Sequence, residues 1–431
     1  MFKTDVLIVG AGLTGLSCAL SLKKNRTPYI LIEKNPWPGG LAASFEKDGF
    51  TFDYSGHLLH LRWKKTSKIV KKILDGNITN INRNSKIYFK KLFIDYPFQV
   101  NLSNLPEEIR NSCVRDFLIA HGKSLKNNDN FEKWCINTFG KSISKYFMLP
   151  YNQKLFKYPL NAIAPDWFIN FIPVPKIEEI IKGAYVKSIK NMGYNSDFYY
   201  PQKNGIGILP ESMAKKIQNI NYNSELLSIN LRTKTANVKD LGIIKYKKIV
   251  NTAPLKFLCQ KIEGRPQQLI ENSNKLKYNQ VYVLNLGIKK VNFKEHWIYF
   301  PENEFIFYRI GFYNNFSLYN CPEGASSLYI EISTKADEFI DLSKAYIKVI
   351  KSLKKLKIIE NELDIITSMW LKIPCAYVIY DHNRAKAIEY INGFLNENKI
   401  FSIGRYGSWK YSFMEENIKD GLEMAEKLSF Y

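Results

Sequence analysis

The sequence predicts an α/β fold in which a parallel sheet, assembled from separated segments, is joined by a helical domain and an antiparallel sheet domain. Three observations predict it. A complete β-α-β unit occupies the first thirty-odd residues. The stretch from about 104 to 190 reads as helical, with prolines at 150, 159, 165, 173 and 175. From about 245 to 375 many short segments read as strands, among them 248–251, 281–286 and 327–332, and the chain closes with a strand at 399–404 and a helix from about 413 to 429. Elements distributed in this way indicate interleaved rather than serial domains. The expected division is 1–62, 202–252 and 396–431 for the parallel sheet, 103–190 for the helical domain, and 63–102, 191–201 and 253–395 for the antiparallel sheet.

The first unit is justified residue by residue. Asp5-Val6-Leu7-Ile8-Val9-Gly10 is apolar and β-branched, as a buried parallel strand should be. Leu16, Ala19, Leu20 and Leu22 form the apolar face of a helix running to Lys24. Pro28-Tyr29-Ile30-Leu31-Ile32-Glu33 is a second strand ending in an acid. Between strand and helix lies Gly10-Ala11-Gly12-Leu13-Thr14-Gly15, and Glu33 follows eighteen residues after Gly15. That context makes the glycine spacing a Rossmann-type dinucleotide fingerprint. Gly10 permits the tight turn, Gly12 lets the backbone approach a pyrophosphate, and Gly15 lets the helix pack on the strand. Leu13 and Thr14 open the helix, whose N-terminal N–H groups and partial positive charge suit phosphate. Glu33 would accept hydrogen bonds from the ribose hydroxyls.

FAD is expected over NAD. Glu33-Lys34 runs into the turn-rich Pro36-Trp37-Pro38-Gly39-Gly40-Leu41, similar to the second FAD contact of the amine-oxidase and glutathione-reductase class. Ile403-Gly404-Arg405, with a helix behind it, resembles that class's last flavin contact, where a helix N-terminus stabilises the anionic reduced flavin.

Composition narrows the remaining classes. The chain has 431 residues, 45% hydrophobic and 24% charged, an ordinary globular balance. Its net charge of +22 comes from basic residues spread along the chain in short runs, which favours an anionic small molecule over a nucleic-acid partner. No run is long and apolar enough for a transmembrane helix, and the N-terminus lacks the form of a signal peptide. The six scattered cysteines form no C-x-x-C pair, so neither a disulfide framework nor a zinc site is expected, and no metal ligand set stands out. The expected compartment is the cytoplasm, and a homo-oligomer is possible.

Further along, separated motifs resemble the UDP-galactopyranose mutases, in particular their eukaryotic-type branch, over nearly the whole chain. These are Phe52-Asp53-Tyr54-Ser55-Gly56-His57, like the family's Gly-Gly-His loop; Arg83 ahead of Tyr96-Pro97-Phe98-Gln99; and Met148 to Phe156, containing Pro150-Tyr151-Asn152. Asn195 to Pro201, Phe307-Tyr308-Arg309, and Tyr377 with Gly404 to Tyr411 complete the set.

The resemblance implies a flavin isomerase with no net redox change. It would interconvert the pyranose and furanose forms of a UDP-sugar through an adduct at N5 of reduced FAD (FADH−), with NAD(P)H or another reductant needed only for activation. The product, a galactofuranose donor, would serve cell-surface glycan synthesis. The implied flavin contacts are Gly10, Gly12, Leu13, Thr14, Gly15, Glu33, Lys34, Gly39, Gly40, Leu41, Ser55, Gly56, His57, Arg83, Gly404, Arg405, Tyr411, Ser412, Phe413 and Met414. Tyr96, Phe98, Gln99, Asn152 and Phe156 match the uridine side of the substrate site, and Asn195 is a further implied substrate contact. Arg309, Tyr377 and Tyr411 match the positions that hold the diphosphate, His57 matches the mobile-loop histidine near the flavin N5 with a positioning role, and the resemblance implies that these four are the catalytic residues. Taken alone, Tyr377 and Tyr411 read as ordinary tyrosines; the motifs single them out.

The sequence also departs from the family. A second diphosphate arginine, four residues after the tryptophan matched by Trp167, is Phe171 here. A family tyrosine is Phe316, a uridine-side tryptophan is Phe156, and Lys154 or Lys157 is the expected source of compensating charge. The alternative function is an FAD-dependent oxidoreductase of the amine-oxidase or protoporphyrinogen-oxidase type.

Overall fold

The computed structural model describes residues 1–122, 128–164, 171–186, 196–217 and 219–429. It has the predicted class of fold. The strand Phe2–Val9 leads through Gly10 and Gly12 into the helix Leu13–Lys24 and returns as the strand Tyr29–Ile32. Phe2–Val9 is the centre of a seven-stranded sheet, parallel to Tyr29–Ile32 on one side and to Gly242–Asn251 on the other. Ile400–Ser402 adds in parallel to Gly242–Asn251, so N-terminal, middle and C-terminal segments do build one sheet. The C-terminal helix Met414–Ser429 packs along Leu13–Lys24. Gly421 allows this close contact, since a Cβ there would lie 2.2 Å from the Thr14 carbonyl oxygen.

The second sheet has eight strands, with Lys277–Lys289, Ala325–Lys335 and Arg309–Phe312 antiparallel at its heart. It is not wholly antiparallel: Ser85–Phe89 runs parallel to Trp297–Tyr299. The helices Glu107–His121, Phe131–Ile143, Leu149–Phe156 and Ile177–Tyr185 form the helical region, at the positions the sequence suggested.

Three helices lie elsewhere than expected. Leu255–Gln260, Gln267–Lys275 and Arg384–Glu397 belong by sequence to the second sheet's segment. Their Leu258, Leu269, Ile391 and Leu395 instead share a buried core with Leu7, Val9 and Ile249 of the first sheet. Their apolar stripes need a covered face, and the first sheet supplies it.

Candidate active site

One cleft of about 960 Å³ runs from the glycine loop, past the His57 loop, to the second sheet and the helix Leu149–Phe156. Its nucleotide end follows from local sequence. Gly10 takes φ +99°, and a Cβ on Gly15 would lie 1.9 Å from the Gly10 carbonyl oxygen. Only glycine fits there, so turn and helix close on one another. A Cβ on Gly12, by contrast, would meet no protein atom within 4 Å, which leaves open space at the helix start. That helix has no side-chain cap and no acid in its first turn, so its N–H groups face the cleft unsatisfied. Glu33 closes this end, accepting hydrogen bonds at 2.8 Å from the Ala11 N–H and at 2.9 Å from Asn35. Lys34, Gly39, Gly40 and Leu41 line the same end. These residues fit a dinucleotide diphosphate, and the adjoining Ser55, Gly56, His57, Arg405, Ser412, Phe413 and Met414 form the wall a flavin ring would contact. Gly404 stands behind this wall with φ +79°.

The other end is decided by strand register. Arg309 lies directly opposite Glu331 across two antiparallel strands. Its Nε and one Nη donate to the two Glu331 carboxylate oxygens, the Nη bond at 2.8 Å. The Ser55 hydroxyl donates to the same carboxylate. Glu331 is 2% exposed. Burial opposes charge on Arg309, but Glu331 outweighs it and holds the guanidinium well above its usual pKa. The Nη bonded to Glu331 also lies 3.5 Å from the Ser55 hydroxyl, while the other Nη has no hydrogen bond among the described residues and is available to a ligand. Arg405 is the second cation: it donates to the Ser412 and Ala376 carbonyl oxygens, and Tyr377, Tyr406 and Tyr411 surround it at 5.8, 5.8 and 4.7 Å from ring centre to guanidinium. Among the described residues no carboxylate pairs with it.

His57 lies between these groups. Burial, then the Arg405 charge, push its imidazole down to about 4, although Glu331 pulls the other way. It is therefore neutral at physiological pH, which suits positioning and hydrogen bonding. His60 and His296 are pushed down to about 4 as well, chiefly by burial. The unfolded chain takes up these three protons near pH 6.5, whereas the folded protein refuses them until about pH 4. The stability this represents is complete above pH 6.5 and lost as pH falls through that window. Asp53, pushed up to about 6 by burial, acts in the opposite sense but is one group against three. The melting temperature is expected to be several degrees lower at pH 5 than at pH 7.5. An equal or higher value at pH 5 in a thermal melt would contradict these assignments.

Tyr96, Gln99, Asn152 and Phe156 line the far end, as expected. Gln99 donates to the Pro173 carbonyl oxygen at 2.7 Å, which orients its amide. Its Oε1 is buried with no partner among the described residues.

Several expected site residues fall elsewhere. Phe98 is fully buried, stacked on Phe147 at 5.4 Å, and does not line the cleft; it supports the floor beneath Tyr96 and Gln99. Arg83 stands behind Tyr96, 4.7 Å from its ring centre, rather than on the cleft wall. Phe316 packs in the core against Tyr200, Tyr313 and Trp297. Lys154 does not supply charge to the cleft: its ammonium is buried, donating at 2.8 Å to the Phe300 and Glu302 carbonyl oxygens. Trp167 and Asn195 lie outside the described residues. Phe171 does reach the cleft, 4.9 Å from Tyr411. The sequence reading missed Glu331 and the phenols Tyr151, Tyr299, Tyr308 and Tyr329 that line the cleft. An acid between Ile330 and Ile332 in an apolar strand was the one available signal for Glu331.

Comparison with known proteins agrees with this geometry. The model of the flavin containing amine oxidoreductase family matches residues 13–429. A crystal structure of reduced UDP-galactopyranose mutase superposes with a TM-score of 0.92 and 26% identity, over 99% of this chain and 95% of that one. A protein described as a protoporphyrinogen oxidase from Exiguobacterium sp. 255-15 gives a TM-score of 0.77 at 14% identity over 99% of both chains, a likeness of fold alone. The 4,4'-diapolycopene oxygenase of Methylomonas sp. is 48% identical over 54 residues, 12% of this chain. The match spans about a tenth of that relative's length. The resemblance to the mutases read from the motifs is thus matched by the fold.

Proposed function

This chain belongs to the flavin-containing amine oxidoreductase family, and from that premise we propose that it is an isomerase interconverting the pyranose and furanose forms of a UDP-sugar. The observation that carries the reading is the position of Arg309. It is a half-buried guanidinium with one Nη unoccupied among the described residues, in the same cleft as a dinucleotide site, in a fold superposing at 0.92 on a UDP-galactopyranose mutase. When bound, reduced FAD supplies the nucleophile that displaces the diphosphate from the sugar, with no net oxidation.

The chain's own residues account for the rest. As UDP departs, negative charge grows on the diphosphate. The free edge of Arg309 and the hydroxyls of Tyr377 and Tyr411 are the donors that stabilise it without reorganising. At the base, the Gln99 Oε1 is an acceptor for the N3–H of uracil, an atom that cytosine lacks. Tyr96 and Phe156 provide faces for stacking. Neutral His57 orients the reacting groups without adding charge. Lys34 and the glycine loop hold the FAD diphosphate, and a reductant such as NAD(P)H is required to reach the active state.

Phe171 and Phe156 favour a second reading, an oxidoreductase with an apolar substrate. Two half-buried arginines on the cleft wall argue against a protonated amine as that substrate.

The test is anaerobic incubation with UDP-galactofuranose, with and without dithionite, followed by anion-exchange chromatography. Conversion to UDP-galactopyranose only with reduced flavin is expected. A yellow, FAD-loaded protein that converts no UDP-sugar would exclude the isomerase.

A further inference from the structure

Two phenols on the cleft wall have no role so far. Tyr308 and Tyr329 are 1% and 0% exposed, and neither hydroxyl has a hydrogen-bond partner among the described residues. Burying a hydroxyl without a partner is costly, so such atoms are normally met by water or a ligand. Both residues line the cleft. Both lie near one cation, with the Arg309 guanidinium 6.0 Å from the Tyr308 ring centre and 5.8 Å from that of Tyr329.

The chain also makes room for them. Tyr329 lies opposite Gly311 in the sheet, and a Cβ on Gly311 would fall 2.0 Å from its ring. At its tip, a Cβ on Gly56 would fall 2.3 Å from its hydroxyl. Tyr329 therefore extends across Gly311 to the His57 loop. Burial holds both phenols protonated, so they are donors.

The charge balance says what they would donate to. Glu331 already neutralises Arg309, and Phe171 occupies the place of a second arginine. A diphosphate at Arg309 thus lacks half of the cationic donors that the mutase resemblance implies.

We propose that Tyr308 and Tyr329 donate hydrogen bonds to the anionic group held at the free edge of Arg309, so that two neutral phenols replace one guanidinium in diphosphate recognition. This rests on the nucleotide-sugar reading above.

The experiment compares UDP with uridine. Tyr308→Phe and Tyr329→Phe keep each ring and delete only the hydroxyl. Calorimetry on the FAD-loaded protein is expected to show UDP binding weakened about tenfold by each substitution, with uridine binding unchanged. A structural role would weaken both ligands together or lower the melting temperature. An unchanged ratio of UDP to uridine affinity in both variants overturns the proposal. Wild-type protein that binds neither ligand overturns the nucleotide-sugar reading instead, so the two failures are distinct. Because the single variants are tested separately, misfolding of one leaves the other to decide.

Discussion

Replacing Arg309 with alanine is expected to weaken UDP binding by about 10- to 100-fold, the loss of a charge-assisted contact worth roughly 1.5–3 kcal/mol, and to abolish turnover while FAD is retained. The substitution has a second consequence. Glu331 is 2% exposed, and Arg309 satisfies both of its oxygens. Removing one member of a buried pair strands the other charge, at a cost of about 3–5 kcal/mol. The alanine variant should therefore melt several degrees lower for a reason separate from substrate binding. Glu331→Gln in the same chain removes the stranded charge and should restore much of the stability without restoring UDP affinity. Calorimetry with UDP, flavin absorbance and thermal melts on both variants separate the two effects. Near-wild-type UDP affinity in the double variant would remove Arg309 from the substrate site.

Alanine at Gly15 and at Gly12 should fail in different ways, although the two glycines belong to one motif. At Gly15 the new methyl meets a backbone oxygen at 1.9 Å, which cannot rotate away. The helix must shift from the strand, and a loss of about 3 kcal/mol or more is expected, together with FAD. At Gly12 the methyl enters open space, and the backbone already has φ −72°, which any residue adopts. The apoprotein should keep its stability, but the methyl occupies the approach of the diphosphate, and FAD retention should fall at least tenfold. Flavin absorbance per protein after purification, with melts of the flavin-free forms, reads both. A Gly12→Ala variant that retains FAD normally would show that the phosphates do not lie against that turn.

These contrasts mark where the sequence was readable. The glycine loop, its helix and Glu33 were legible because their roles are set within about thirty residues. Tight turn, open approach and helix contact are local steric demands, and glycine is the residue that meets them. The motif segments carrying Tyr96, Gln99, Asn152 and Phe156 were placed correctly at the cleft, but their neighbours were not always. Phe98 precedes the cleft-lining Gln99 in a single tight turn, yet its own ring turns into the core. Lys154 lies two residues from Asn152 on a short helix and faces away, onto two carbonyl oxygens. A motif states which residues belong together, while helix and strand periodicity decide which of them face the ligand.

By itself, the sequence determined the β-α-β nucleotide unit, the mixed α/β class and the segments that converge on the cleft. Each rests on local spacing and hydrophobic period. Only the tertiary structure decided the electrostatics of the substrate end. It set Arg309 opposite Glu331, left Arg405 among tyrosines with no paired carboxylate among the described residues, and lowered the His57 pKa. It also enclosed the hydroxyls of Tyr308 and Tyr329 without partners. The physical reason is that pairing across strands depends on register, and burial depends on every layer packed above a residue. Neither quantity exists until distant segments of the chain have met.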